Sequence, residues 1–267
     1  MQNLTNLAIK YKTDKFGKHF YTPIYEKYMR DKKNKKINFL EIGVGGWSNK
    51  TGYSDPYLGG ESLKMWRDYF KNGKIYSLDI FKKKLNLGNR VKIFQGSQDN
   101  DKILSKIVYK SGKLDFIVDD GSHLYKDVIF SFNYLFNYLK NGGIYFIEDT
   151  QTSYLKEFGG DGFYLQNKKT IINYFKGIVD KINHQEIENP FYKIDEIAKN
   201  VTEIHFYHNL IAIKKEKNLE LSTILINNRK QVSGKKILGL RKFVKNIKYT
   251  VLYLKAQINN LIDLIKI

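Results

Sequence analysis

Two short runs, Val118-Asp119-Asp120-Gly-Ser-His123 and Ile147-Glu148-Asp149, concentrate four carboxylates and an imidazole. Carboxylate oxygens are hard ligands and suit magnesium or manganese over zinc. An imidazole, with an unperturbed pKa of about 6.5, can take a proton from a hydroxyl held beside such an ion. Brought together, these residues imply a hard metal ion with His123 as a general base next to it. The plain alternatives are solvated strand-end carboxylates and a helix-capping histidine. Three clustered carboxylates would repel one another without a cation, which favours the metal. His19, His184, His205 and His208 fit no ligand spacing and read as structural or exposed.

Each run ends an apolar stretch, Leu114–Val118 and Gly143–Ile147, short and β-branched enough to be a buried parallel strand. Between them, Val128, Phe132, Leu135 and Leu139 recur at helical spacing from Tyr125 to Lys140, and Asn141-Gly142-Gly143 supplies a stop. A strand–helix–strand unit of this kind crosses over right-handed. Its strand-end carboxylates then meet in the crevice where open α/β sheets bind ligands.

The remaining elements furnish that crevice. A first strand, Ile37–Glu41, runs into Gly43-Val-Gly45-Gly46, half of a nucleotide-binding fingerprint, and no phosphate-loop Gly-Lys-Ser/Thr follows. A second strand, Lys74–Leu78, ends at Asp79, and Glu41 with Asp79 is expected to accept the hydroxyls of a ribose over the glycine turn. A third, Val91–Phe94, leads to a polar loop in which Ser97 and Gln98 suit the edge of an adenine, while Asp119 is placed in the cofactor pocket. Helices at Asp101–Tyr109 and Thr170–Ile182, and a hairpin of Val201–Tyr207 with Leu210–Lys215, complete the pattern. The fold predicted is α/β: a doubly wound, seven-stranded, mostly parallel sheet with one antiparallel edge strand, and a C-terminal helical extension. Residues 1–217 are assigned to the domain and 218–267 to a linker and basic amphipathic tail.

Composition narrows the function classes. The 267 residues are 42% hydrophobic and 15% aromatic, ample for a core, and contain no cysteine, which excludes disulfides and thiolate metal sites. The start, MQNLTNLAIKYKTDKFG, does not read as a secretory signal, and no stretch approaches the ~20 apolar residues of a bilayer span, so a cytoplasmic location is expected. The net charge of +19 would suit nucleic acid, but residues 229–267 alone hold ten Lys and Arg against one Asp, and no nucleic-acid-binding module accompanies them. An acidic crevice also repels a phosphate backbone, so no nucleic-acid partner is expected. The excess of Lys, Asn, Ile and Tyr, with three Pro, points to AT-rich bacterial coding.

The sequence resembles class I S-adenosylmethionine-dependent methyltransferases, and among them the metal-dependent sugar O-methyltransferases of macrolide biosynthesis. The matching segments are Leu40–Gly46 (LEIGVGG), Asp55–Phe70, Ile75–Ile80 (IYSLDI), Val118–His123 (VDDGSH) and Ile147–Tyr154 (IEDTQTSY), with a weaker one at Lys12–Tyr25. The resemblance covers roughly residues 10–215. It implies S-adenosylmethionine as cofactor, bound by Glu41, Gly43, Gly45, Asp79, Ser97, Gln98 and Asp119. It also implies magnesium, or manganese, on Asp120, Glu148 and Asp149, with His123 as catalytic base. The acceptor it implies is a sugar. A nucleotide-activated sugar of a bacterial surface polysaccharide is the expectation here, with a heptose as the named candidate. A non-sugar small molecule is the runner-up.

The resemblance does not reach the tail. Ile237, Leu240, Val244, Ile247, Val251, Leu254, Ile258, Leu261 and Ile265 alternate steps of three and four without a miss. β-Branched residues at every first position and mostly Leu at every fourth favour two-stranded coiled coils. Self-association is therefore expected, with Ser233-Gly234 marking the start. A helix docked on its own domain, or a basic helix lying on an anionic membrane surface, is the alternative.

Overall fold

Parallel strands covered on both faces must be largely apolar on both, and four runs of this chain are mostly buried in that way, with a fifth, half-exposed one at the sheet edge. The structure, a computed structural model, describes residues 3–47, 54–187, 189, 191–222 and 240–265. Two helices lead in, α1 (Leu4–Tyr11), capped by the Asn3 side chain, and α2 (Thr22–Met29), with Pro23 in its first turn. The alternating body follows: β1 (Asn38–Ile42), α3 (Glu61–Tyr69), β2 (Lys74–Asp79), β3 (Val91–Gln95), α4 (Asp101–Ser111), β4 (Leu114–Asp119), α5 (Tyr125–Leu135) and β5 (Leu139–Glu148). Short helices α6 (Ile171–Lys176), α7 (Ile178–Ile182) and α8 (Glu196–Asn200) precede the hairpin β6 (Val201–Tyr207) and β7 (Leu210–Lys215), and α9 (Leu240–Ile265) ends the chain.

The seven strands form one sheet in the order β3-β2-β1-β4-β5-β7-β6. β1 pairs in parallel with β2 on one side and β4 on the other, so the winding reverses between β1 and β4. That reversal opens a crevice at the carboxyl ends of these two strands. The predicted seven-stranded, mostly parallel sheet is present, with one rearrangement. The antiparallel strand is β7, which pairs with β5 from Gly143↔Lys215 to Glu148↔Leu210, and β6 takes the edge beyond it. The two-residue turn at His208-Asn209, with Asn209 at φ +59°, folds the hairpin back, so the more apolar partner enters the sheet. Leu210, Ile211, Ala212 and Ile213 are all buried.

The expected helix Tyr125–Lys140 is shorter. α5 ends at Leu135, a tight turn spans Phe136–Tyr138, and β5 begins at Leu139 with an irregularity opposite Leu114 and Phe116. Gly142, at φ +77°, provides the bend that periodicity alone does not register.

Two apolar cores flank the sheet. One packs α4, α5 and α6 on it through Leu104, Ile107, Phe132, Leu135 and Phe175. The other packs α1, α2 and α3 through Leu7, Tyr25, Trp66, Tyr69 and Phe70. Trp66 contacts Phe39 and Tyr25 at ring separations of 4.7 and 5.2 Å. The lead-in helices are thus part of the second core, and they carry residues beneath the strand ends. Among the described residues no helix is long and apolar enough to cross a membrane.

Candidate active site

The crevice is a cleft of about 630 Å³ at the carboxyl ends of β1, β2 and β4, within the range of small-molecule and cofactor sites. Its floor exists because β1 ends in glycine. Gly43 has φ +97°, and a Cβ there would lie 2.0 Å from the Asp120 carbonyl oxygen, so no other residue lets the two strand ends approach. The Asp120 backbone N–H donates to the Ile42 carbonyl at 3.0 Å and that of Gly43 to Leu78 at 2.7 Å, which laces the ends of three strands together.

Of the residues named from sequence, Gly43, Gly45, Asp79, Ser97, Gln98, Asp120, His123 and Asp149 line this cleft. Asp79 accepts from the Val44 N–H at 3.0 Å and the Phe81 N–H at 2.8 Å, which shapes the glycine turn over which it stands. Gln98 accepts from the Ser122 N–H at 2.8 Å and donates to Asp119 at 3.1 Å. It therefore pins the loop carrying His123 as well as lining the wall.

Three named residues lie beneath the cleft. Glu41 has no exposed surface; it accepts from Trp66 Nε1 at 3.0 Å and Ser62 Oγ at 2.8 Å. Both its oxygens are bonded to scaffold side chains beneath the cleft. Asp119 faces the core side of β4, accepting from Ser131 Oγ at 2.6 Å and Tyr145 OH at 2.9 Å. Burial pushes its carboxyl up to about 6 against those hydrogen bonds. Glu148, 3% exposed, is held by Lys15 Nζ at 2.7 Å and by the Tyr25 hydroxyl. Burial, and then Asp120 beside it, raise its carboxyl well above the usual range, with Lys15 opposing. Side-chain alternation turns Asp119 to the face opposite its neighbour Asp120, whereas Glu41 and Glu148 share the Asp120 face and are held below the cleft by Lys15, Trp66, Ser62 and Tyr25.

What converges in the cleft is Asp120, His123 and Asp149, each offering one ligand atom within 4.8 Å of the others. His123 Nε2 lies 3.8 Å from Asp120 Oδ1 and 3.9 Å from Asp149 Oδ2. Both His123 (φ +56°) and Asp149 (φ +53°) hold left-handed backbone conformations, costly for non-glycine residues and concentrated at functional sites. Burial opposes ionisation of Asp149, but the Tyr21 hydroxyl at 2.8 Å, with His123 and His19 nearby, outweighs it and holds that carboxyl below its usual range. His19 Nε2, 3.7 Å from Asp149 Oδ1, is buried without a hydrogen-bond partner. Two carboxylates converging in this way fit a hard divalent cation, with the His123 imidazole beside it. Of the ligand set implied for the metal, Asp120 and Asp149 lie in this cluster, while Glu148 stands one layer deeper.

Spacing gave no sign of the residues that hold this cluster from below. Lys15, His19 and Tyr21, on the segment between α1 and α2, contact its two carboxylates, and Tyr25 in α2 contacts Glu148 beneath them. Lys12–Tyr25 was visible only as the weakest of the matching segments, and His19 does lie by the site.

Comparison with known proteins agrees with this geometry. The chain is 37% identical over 220 residues to mycinamicin VI 2''-O-methyltransferase of Micromonospora griseorubida, covering 82% of this chain and 54% of that one. It is 36% identical, with the same coverages, to demethylmacrocin O-methyltransferase of Streptomyces fradiae. The solved MycE methyltransferase of the mycinamycin biosynthetic pathway, in complex with Mg and SAH, superposes with a TM-score of 0.76 at 36% identity, over 82% of this chain and 56% of that one. The chain is a homologue of these sugar O-methyltransferases. It spans about half the length of these relatives. No protein-family model matches it. Within this methyltransferase fold, the cleft described above lies at the winding reversal of the sheet, where open α/β sheets bind ligands.

Proposed function

We propose that this chain is an O-methyltransferase that moves the methyl group of S-adenosylmethionine to a sugar hydroxyl, with magnesium or manganese held by Asp120 and Asp149. The observation that carries the reading is the meeting of Asp120, His123 and Asp149 in the cleft that the Gly43–Gly45 turn also lines. The adenosyl part is assigned to the wall formed by Asp79, Ser97 and Gln98, and the acceptor to the side of His123. A bound divalent ion supplies positive charge that stabilises the acceptor oxygen as its proton leaves. His123 Nε2 takes that proton, and the two flanking carboxylates stabilise the imidazolium so formed. The acceptor oxygen bonds to the methyl carbon, the carbon–sulfur bond breaks, and its electron pair stays on sulfur. The protein's part is mainly alignment of oxygen, carbon and sulfur.

The relatives are named for O-methylation of mycinamicin VI, demethylmacrocin and rhamnosyl-tetracenomycin, which supports a sugar acceptor. A nucleotide-activated sugar, with a heptose as the named candidate, rests on composition, and a sugar already attached to a larger scaffold is favoured by the relatives. Calorimetric titration with S-adenosylmethionine, followed by both acceptor classes with and without EDTA, tests the proposal. Cofactor binding with EDTA-sensitive methyl transfer to one class is expected. Absence of cofactor binding, or transfer untouched by EDTA, would refute the cofactor or the metal assignment respectively.

A further inference from the structure

Beneath the cleft lies a cation that the reaction as derived does not use. Lys15 is 1% exposed, and its ammonium is 2.8 Å from Asp120 Oδ2, 2.7 Å from Glu148 Oε1 and 3.3 Å from Glu41 Oε1. Three carboxylates from the ends of three different strands therefore converge on one nitrogen. The arrangement is directional. Lys15 takes the inner oxygen of Asp120, and the outer one, Oδ1, is the atom facing His123 at 3.8 Å. The Tyr25 hydroxyl meets the same Glu148 oxygen as the ammonium. A buried cation stays only where its partners outweigh the loss of water, and removing one partner of such a group leaves an uncompensated charge. Here one ammonium serves three carboxylates.

We propose that Lys15 is a positioning residue, a tethered counter-ion that holds the oxygens of Asp120, Glu148 and Glu41 together and moderates how strongly the cleft binds a divalent cation. This rests on the metal-dependent reading of the cleft given above. Lys15 does two things that act in opposite directions on the ion. It keeps the carboxylates assembled when no metal is present. It also repels the ion, because both cations draw on Asp120. The result is a site that survives without its metal and binds it with moderated strength. A residue with only a packing role would do the first and not the second.

Lys15→Met in the full chain separates the two roles, with Mn(II) as the probe. Direct Mn(II) binding, read by electron paramagnetic resonance, is expected to tighten by tenfold or more. The Tm in EDTA is expected to fall by several degrees, and added Mn(II) to recover more of it than in wild type. Turnover should fall at least tenfold with the affinity for S-adenosylmethionine little changed. Mn(II) binding that is unchanged, or weakened along with Tm, would overturn the proposal and leave Lys15 a structural residue. Should Lys15→Met fail to fold, the double variant Lys15→Met/Glu148→Gln removes one of the stranded charges and is expected to restore folding in EDTA. A double variant no more stable than the single one overturns the proposal too. Wild-type protein that binds no Mn(II) at all would instead refute the metal reading itself, so the two failures are distinguishable.

Discussion

In the proposed reaction the chemistry turns on His123, the proton acceptor placed between two cleft carboxylates at 3.8 and 3.9 Å. His123→Ala is expected to lower turnover by roughly two to four orders of magnitude, the usual contribution of a positioned general base. Cofactor affinity should stay near wild type, and the two measurements on one preparation decide the matter; near-normal turnover would remove His123 from the mechanism. Asp120→Asn tests the neighbouring role. It keeps the shape but removes the charge shared between Lys15 and the outer site, so EDTA-sensitive activity should vanish and Mn(II) binding weaken at least tenfold. Glu41 makes the opposite point. Its carboxylate sits under the cleft, bonded to Trp66 and Ser62, so Glu41→Gln is expected to show in stability before it shows in cofactor affinity, as a lower Tm with near-normal cofactor binding.

At the scale of elements, the cleft depends on how closely the end of β1 approaches the end of β4. Gly43→Ala combines a forbidden φ of +97° with a Cβ 2.0 Å from the Asp120 carbonyl. The strand ends must move apart, and Asp120 moves with them. Loss of about 2 kcal/mol or more in folding stability is expected from the backbone conformation and overlap. S-adenosylmethionine binding should weaken in parallel, measured by denaturant titration and calorimetry. Gly45→Ala gives the contrast: its φ is +70° but nothing lies within 4 Å of the added carbon, so the penalty should be smaller. The segment joining α1 to α2 belongs to this scale as well. It reaches under the sheet to place Lys15, His19 and Tyr21, and α2 adds Tyr25. The two helices that lead into the sheet, with the segment between them, are the support of the site.

For the whole molecule, the open feature is α9. Its 26 residues span about 39 Å. Ile247, Val251, Leu254, Ile258 and Leu261 form an apolar stripe, each half exposed or more. Tyr253, on another side of the helix, meets Phe191 of the body at a ring separation of 5.6 Å, so that contact leaves the stripe open. Among the described residues the stripe keeps the heptad spacing, and a second copy of the helix is its expected partner. Ile237 and the Ser233-Gly234 start of the pattern lie outside the described residues. Deleting residues 233–267 is expected to reduce a two-chain particle to one chain in light scattering. An unchanged particle with lost sedimentation on anionic liposomes would assign the stripe to a membrane surface instead, and an insoluble truncation would assign it to the body.

Local signals in the sequence determined the alternating strands and helices, the glycine turn after β1, the carboxylate pairs at the ends of β4 and β5, and the heptads of the tail. Periodicity, turn residues and short motifs depend on neighbours a few positions apart, and so can be read along the chain. Only the tertiary structure decided which strand-end carboxylates face the cleft. Asp120 and Asp149 do, whereas Glu41, Asp119 and Glu148 turn to Trp66, Tyr145 and Lys15. It also decided that β7 enters the sheet inside β6, and that the lead-in segment reaches beneath the site. Lys15 and Glu148 are 133 positions apart in sequence and 2.7 Å apart in space. A contact of that kind is set by how two layers pack on one sheet, and no local pattern records it.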